Sequence, residues 1–149
     1  MWRELFSNQI LGCCLTAWFS AQLTKYVIDG IRHLGWSPRG MLFGSGGMPS
    51  SHTAFVTALT AMAGFREGFD SVAFAICFVM MFIVMTDAIG VRRETGRQGS
   101  AINILMDWFA QETDPEKENQ DLKERMGHSP LEVLVGFIWG IACAVLFTR

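Results

Sequence analysis

The feature that most constrains this chain is a long run without any charged residue. Between Asp70 and Asp87 the sequence is Ser-Val-Ala-Phe-Ala-Ile-Cys-Phe-Val-Met-Met-Phe-Ile-Val-Met-Thr. An apolar helix of about 20 residues spans the hydrocarbon core of a bilayer, so residues 71–89 are the strongest transmembrane candidate. Half of the 149 residues are apolar. The chain is therefore expected to be an integral membrane protein, with Arg3 and the apolar run after it retained as a first helix.

Three further segments have helical character. Residues 5–28 carry Ser20 and Gln22, polar groups that must face other helices or a wet cavity. Residues 51–65 are short for a full span, which predicts a helix that is tilted, re-entrant or buried in the bundle. Residues 131–147 are long enough to span, with Gly136 and Gly140 tolerated inside the helix. We expect one all-α membrane bundle of about four to five helices over residues 1–149.

A polar stretch separates the last two spans. Within it, Ile102, Leu105, Met106 and Phe109 recur at helical spacing, which predicts an amphipathic helix on the membrane surface or on the bundle. Residues 112–125 carry six acids and three bases, typical of a solvated, mobile loop.

Lysines and arginines are unevenly divided between the two ends of such a bundle. Four segments place both termini on one side with Arg3, Arg66 and Arg149, and leave the other nine of the 12 basic residues opposite. Positive residues favour the cytoplasm. We therefore expect the second side to be the cytoplasmic face, and the membrane to be a bacterial cell membrane.

A glycine-rich stretch, Gly-Ser-Gly-Gly-Met-Pro-Ser-Ser-His-Thr-Ala, occupies residues 44–54. Glycines allow a sharp turn, and Ser50 or Ser51 can cap the helix that follows. His52 lies in the first turn, where exposed N–H groups and the helix dipole favour an anion. The alternative is a plain capped helix start with an incidental histidine.

Topology gathers two histidines, several cations and two acids at one interface. These residues are Lys25, Arg32, His52, Asp87, Arg92, Arg93, Arg97, His128 and Glu132. Fixed cations neutralise phosphate oxygens, one imidazole can attack phosphorus, and another can protonate the leaving oxygen. The constellation is suited to phosphoryl transfer.

Three motifs in order carry a family resemblance. They are Lys-x6-Arg at 25–32, Pro-Ser-Ser-His at 49–52 and His-x3-Glu at 128–132. They resemble the motifs of type 2 phosphatidic acid phosphatases, the PAP2 superfamily related to vanadium haloperoxidases. With Asp-Ala-Ile-Gly-Val-Arg-Arg-x-x-Gly-x-Gln at 87–98 and Gly-His-Ser-Pro-x-Glu-Val at 127–133, the chain more specifically resembles the small divergent PAP2 membrane proteins.

The resemblance implies a role for each matching residue. His128 is the nucleophile, Glu132 orients its ring, and His52 is the general acid. The phosphate ligands it implies are Lys25, Arg32, Ser50, Ser51 and one of Arg92 or Arg93, with Asp87 and Arg97 as further candidates. The implied substrate is a membrane lipid phosphate such as phosphatidylglycerophosphate, phosphatidate or a polyprenyl (pyro)phosphate.

The chain departs from the family pattern at four positions. His33 follows Arg32 where the family has proline, Ser51 replaces glycine, and Glu132 replaces aspartate. Leu122 occupies the position of an arginine six residues before the nucleophile. That arginine must come from Arg92, Arg93 or Arg97, or be absent.

Several of these residues have a structural alternative. Ser129-Pro130-Leu131-Glu132 is a helix start in which Glu132 can be the capping-box acid. His128 can be an ordinary interfacial histidine. Lys25 can anchor the first segment by snorkelling, and Asp87 can form an ion pair with Arg92 or Arg93 that serves folding.

Two other functions remain open beside a lipid phosphatase. One is a non-enzymatic protein that binds phosphate headgroups, such as a transporter, scramblase or assembly factor. The other is a metal-dependent hydrolase using His52, Asp87, His128 and Glu132, ranked last because no pair has metalloenzyme spacing. We expect no metal and no other cofactor. A net charge of −2 gives no sign of nucleic-acid binding, and polar groups inside the segments permit a homodimer.

Overall fold

The computed structural model describes residues 3, 7–31, 47–113 and 129–149, and these form helices with no strand. Their bounds are α1 (Gln9–Ile31), α2 (Ser51–Glu67), α3 (Val72–Ile89), α4 (Val91–Thr113) and α5 (Pro130–Phe147). The expected all-α bundle is confirmed, and α1, α2, α3 and α5 begin and end within a few residues of their predicted bounds. The amphipathic helix α4 is longer than predicted, since it begins at Val91 and the predicted apolar stripe begins at Ile102. The loop expected at 112–125 falls mostly outside the described residues.

The short helix α2 is the centre of the bundle. It contacts α1, α3 and α5, and most of its length is buried. Its buried positions are mainly small, including Ala54, Ala58 and Gly64. Small side chains let neighbouring helices approach closely, and the hydrophobic effect gives little help between helices inside a bilayer. Of the three possibilities for this segment, burial in the bundle is the one observed.

Contacts between helices fix their directions. Gly136 lies against Ser50 and Gly140 against Ala54, so α5 runs parallel to α2. Thr60 Oγ1 donates a 3.1 Å hydrogen bond to the carbonyl oxygen of Cys77 near the start of α3, so α3 runs antiparallel to α2. The start of α2 therefore shares one end of the bundle with the start of α5 and the end of α3.

The first helix is antiparallel to α2 and α5. The indole nitrogen of Trp139 donates a 2.9 Å hydrogen bond to Ser20 Oγ, and Gln22 is buried. The polar side chains Ser20 and Gln22 of α1 therefore face other helices, as predicted. At the opposite end of the bundle from the α2 start, Arg66 of α2 donates a hydrogen bond to Gln9 of α1. Phe147 lies close to Gly12 there. Both terminal helices thus reach the same end.

Two described helical stretches each contain an apolar run of 18 residues that is long enough to cross a membrane. They are Val72–Met106, which includes α3 and most of α4, and Pro130–Phe147. Most side chains of α3 are exposed on the protein surface although they are strongly apolar. In water such a face would be costly, but hydrocarbon lipid tails cover it without penalty.

The amphipathic helix α4 packs through its small and polar side. Gly96 and Asn103 are buried, whereas the residues of the predicted apolar stripe are exposed, with Leu105 at 54% and Phe109 at 56%. The apolar stripe therefore faces away from the protein. The helix contacts the bundle through α3, and its exposed apolar stripe fits the predicted location on the membrane surface.

Candidate phosphate site

Two helix N-termini meet at one end of the bundle. The backbone N–H of Ser50 donates a 3.0 Å hydrogen bond to the carbonyl oxygen of Glu132, in the first turn of α5. The close approach depends on Gly136, where an added Cβ would lie 2.5 Å from the Ser50 carbonyl oxygen. Each N-terminus carries about half a positive charge, so both favour an anion in the same volume.

Ser50 is the N-cap of α2, one of the two residues predicted for that role. Its hydroxyl accepts hydrogen bonds from the Thr53 backbone N–H at 3.4 Å and from Thr53 Oγ1 at 2.9 Å. Ser51 follows at the first helical position, where a backbone N–H has no acceptor within the helix. Both serines are buried. The local sequence thus forms a capped N-terminus in which the Ser51 backbone N–H remains as a donor for an anion.

Gly47 holds the side chain of Lys25 at this end. Gly47 has a positive φ of 87°, which glycine adopts without strain. A Cβ there would lie 2.9 Å from Lys25 Cε, so a larger residue would displace the lysine stem. Lys25 is 7% exposed. A snorkelling lysine keeps its head in water, and this buried side chain does not fit that alternative.

His52 lies one residue beyond Ser51 and is exposed. It lines a groove together with Trp18 of α1 and Val84 of α3. The imidazole is therefore at the same end as Lys25, on the side of α2 that lies between α1 and α3.

The start of α5 is a complete capping box. The Glu132 carboxylate accepts a 3.1 Å hydrogen bond from the Ser129 backbone N–H, and Ser129 Oγ accepts a 3.3 Å hydrogen bond from the Glu132 backbone N–H. Pro130 takes the first helical position. The capping interpretation of Glu132 is confirmed. His128 lies outside the described residues, directly before the N-cap, so the pairing of His128 with Glu132 stays a prediction.

The remaining predicted site residues differ in position. Arg92 and Arg93 lie in the first turn of α4, directly after the end of α3. Arg97 is exposed, with a nitrogen 3.8 Å from a Glu94 carboxylate oxygen on the surface. Asp87 is half-buried in the last turn of α3. Arg32 lies outside the described residues.

The structure therefore brings six predicted residues to one end of the bundle: Lys25, Ser50, Ser51, His52, Asp87 and Glu132. Among the described residues, no group of three or more His, Cys, Asp or Glu side chains could hold a metal ion.

Two features of the site were missed from the sequence. Gly136 and Gly140 were treated as tolerated, yet a Cβ at either position would meet α2 backbone at 2.5 Å. Their Gly-x-x-x-Gly spacing, a known signal for close helix packing in membranes, could have revealed this. The contact between Gly47 and Lys25 had no sequence signal.

Comparison with known proteins identifies related sequences. The model of the divergent PAP2 family matches residues 6–143. A Bacillus subtilis (strain 168) protein, "Uncharacterized membrane protein YuiD", is 39% identical over 150 residues, covering 93% of this chain and 92% of its own length. No solved structure matches the chain. Given the family match over nearly the whole chain and its apolar helices, this protein belongs to the divergent PAP2 family of membrane proteins.

Proposed function

We propose that this protein is a membrane-embedded phosphatase that hydrolyses the phosphoric monoester of a membrane lipid. The observation that carries the proposal is the meeting of the α2 and α5 N-termini beside buried Lys25. A phosphate dianion matches that arrangement because backbone donors, two helix dipoles and a full positive charge all favour it.

In the proposed mechanism, His128 attacks phosphorus and the bond from phosphorus to the lipid oxygen breaks. His52 protonates the departing oxygen, which leaves as the lipid alcohol, and water then hydrolyses the phosphohistidine to release inorganic phosphate. Glu132 accepts a hydrogen bond from the His128 ring and balances its positive charge. Lys25, Arg32, Arg92 or Arg93, and backbone donors near Ser51 neutralise the phosphate oxygens.

The location of the reaction follows from the basic residues. Nine of 12 lysines and arginines are expected on the side that carries the site, so we assign that side to the cytoplasm of a bacterial cell. The substrate lipid would approach within the inner leaflet, with its phosphate at the level of the α2 N-terminus.

A second candidate function is phosphate-headgroup binding without hydrolysis. It is favoured by one specific observation: the Glu132 carboxylate accepts from the Ser129 N–H, and the Ser50 hydroxyl accepts from Thr53. Both groups therefore have a structural role in capping a helix. A site in which they serve only as caps can hold an anion without attacking it.

A panel of lipid phosphates offered to purified protein separates the candidates. Phosphatidylglycerophosphate, phosphatidate and polyprenyl mono- and pyrophosphates are presented in detergent and in liposomes, and released phosphate is measured with and without chelator. Turnover that persists in chelator supports the phosphatase. Binding with no turnover supports the headgroup-binding protein, and turnover lost in chelator supports a metal-dependent hydrolase.

A further inference from the structure

A groove of about 430 Å³ lies beside the phosphate site. The groove is lined by residues of three helices: Leu15 and Trp18 of α1, His52, Phe55 and Val56 of the central helix α2, and Val84 of α3. Of these six described residues, His52 alone can ionise, and the rest of the lining is apolar. The groove therefore has one polar end and an apolar body.

The polar end of the groove lies next to the proposed phosphate site. His52 follows the capped N-terminus of α2, and Phe55 and Val56 lie one turn deeper. On α1, Trp18 and Lys25 are seven residues apart, which places them on one face about 10 Å apart along the helix axis. The groove thus extends from the cationic end of the bundle along the helices toward the middle of the protein.

This combination fits a ligand with an anionic head and a hydrocarbon tail. We propose that the groove holds one hydrocarbon chain of the lipid whose phosphate lies at the α2 N-terminus, an assignment that rests on the proposed phosphate site. Ligand clefts have volumes of about 300–1,000 Å³, and this groove is near the lower limit. A helix from a second copy, about 10 Å across with its side chains, is a much bulkier occupant than one hydrocarbon chain.

The groove positions the lipid and does not extract it from water. The chain is already among hydrocarbon tails in the bilayer, so transfer into an apolar groove adds little hydrophobic free energy. Instead, a chain lying along α2 brings its own head to the end of that helix. Alignment of reacting groups raises the rate of a reaction, so the groove should matter only for substrates long enough to enter it.

The test compares groove-filling variants on a long-chain and a short-chain substrate with the same phosphate head. Leu15→Trp and Val84→Trp fill the groove from its two sides. Ile138→Trp is the matched control, since Ile138 is 58% exposed on α5 and is not among the lining residues. We expect the filling variants to lower kcat/KM for the long chain about tenfold or more, as a misfit in an apolar pocket does. The short-chain value and the control should remain at wild-type level.

A second measurement does not depend on turnover. A lipid phosphate carrying a diazirine in mid-chain is photolysed with wild-type protein, and the labelled peptides are identified. Label concentrated on residues 15–18 and 55–56, and lost in Leu15→Trp but kept in Ile138→Trp, supports the groove.

The outcomes separate the two proposals. Equal loss for long and short substrates, label spread over all apolar helices, or crosslinks to a second copy at the groove would each overturn the assignment of the groove. If wild-type protein hydrolyses no lipid phosphate, the proposed function fails, and the labelling pattern alone decides whether the groove binds a lipid chain.

Discussion

The Ser50 backbone N–H and the Glu132 carbonyl oxygen are 3.0 Å apart, and this hydrogen bond joins the starts of two parallel helices. Parallel packing places two positive helix ends side by side, where an antiparallel pair would place opposite ends together. Gly136 permits the contact because it has no Cβ to meet Ser50. The electrostatics of the site thus depend on a packing detail one turn away from it.

Replacement of Lys25 by methionine keeps an apolar stem against Gly47 and removes the charge. We expect turnover to fall about 10²–10³-fold, the loss seen when one preorganised electrostatic group is removed from a reacting centre. Lys25→Arg keeps the charge and should retain part of the activity. Phosphate release is measured together with thermal unfolding in detergent. Wild-type turnover in folded Lys25→Met would remove Lys25 from the site.

Replacement of Gly136 by alanine should destabilise the bundle. The new Cβ would lie 2.5 Å from a backbone oxygen that cannot move aside alone, and overpacking of this kind costs about 1–3 kcal/mol. Gly99→Ala is the matched control, since nothing lies within 4 Å of its Cβ position in α4. That change should be neutral or stabilise by about 0.5–1 kcal/mol. The measurement is the unfolding midpoint of each variant in detergent. Equal stability of Gly136→Ala and Gly99→Ala would contradict the packing role of Gly136.

The two roles of Glu132 can be separated by Glu132→Gln. Glutamine can accept the capping-box hydrogen bond, so the stability of α5 should be kept, whereas turnover should slow because an amide cannot balance the imidazolium charge. Ser129→Ala is the complementary change: it removes the cap at a cost of about 1 kcal/mol and leaves the carboxylate. Unchanged turnover in Glu132→Gln would show that Glu132 caps the helix and has no role in turnover.

His128 is expected to become covalently phosphorylated. A quench with radiolabelled substrate should give an acid-labile, base-stable label on wild-type protein, and His128→Ala should release no phosphate. Substantial phosphatase activity in His128→Ala would reject the nucleophile and most of the assigned mechanism.

His52 is expected to protonate the leaving oxygen. His52→Ala should lower the rate about 10²–10⁴-fold for a lipid alkoxide, and the loss should shrink for p-nitrophenyl phosphate, whose leaving group needs no proton. Steady-state rates for both substrates check this. A loss of equal size for good and poor leaving groups would exclude the acid role.

The orientation can be read from a single new cysteine, Glu118→Cys. The native cysteines Cys13 and Cys14 are buried and Cys77 and Cys143 are half-buried, all within helices, so a membrane-impermeant thiol reagent should report the new site. We expect labelling only when the cytoplasmic face is open to the reagent. Labelling from outside intact cells would reverse the assigned orientation.

The sequence alone determined the family and the bounds of every described helix except α4. Apolar segments and capping residues are local signals: Ser50 and Ser129 are N-caps because their hydroxyls accept hydrogen bonds from nearby backbone N–H groups. The motif order Lys-x6-Arg, Pro-Ser-Ser-His and His-x3-Glu is likewise readable without coordinates, and it led to the family that the whole-chain match supports.

Only the tertiary structure decided how these elements are arranged. Four features depend on contacts between residues far apart in sequence. They are the central position of α2, the parallel packing of the α5 start against Ser50, the contact of Lys25 with Gly47, and the outward orientation of the apolar stripe of α4. Local patterns specify which face of a helix is apolar or small. They do not specify which partner covers that face, because that choice depends on how closely two backbones can approach, and here glycines on α5 set that distance.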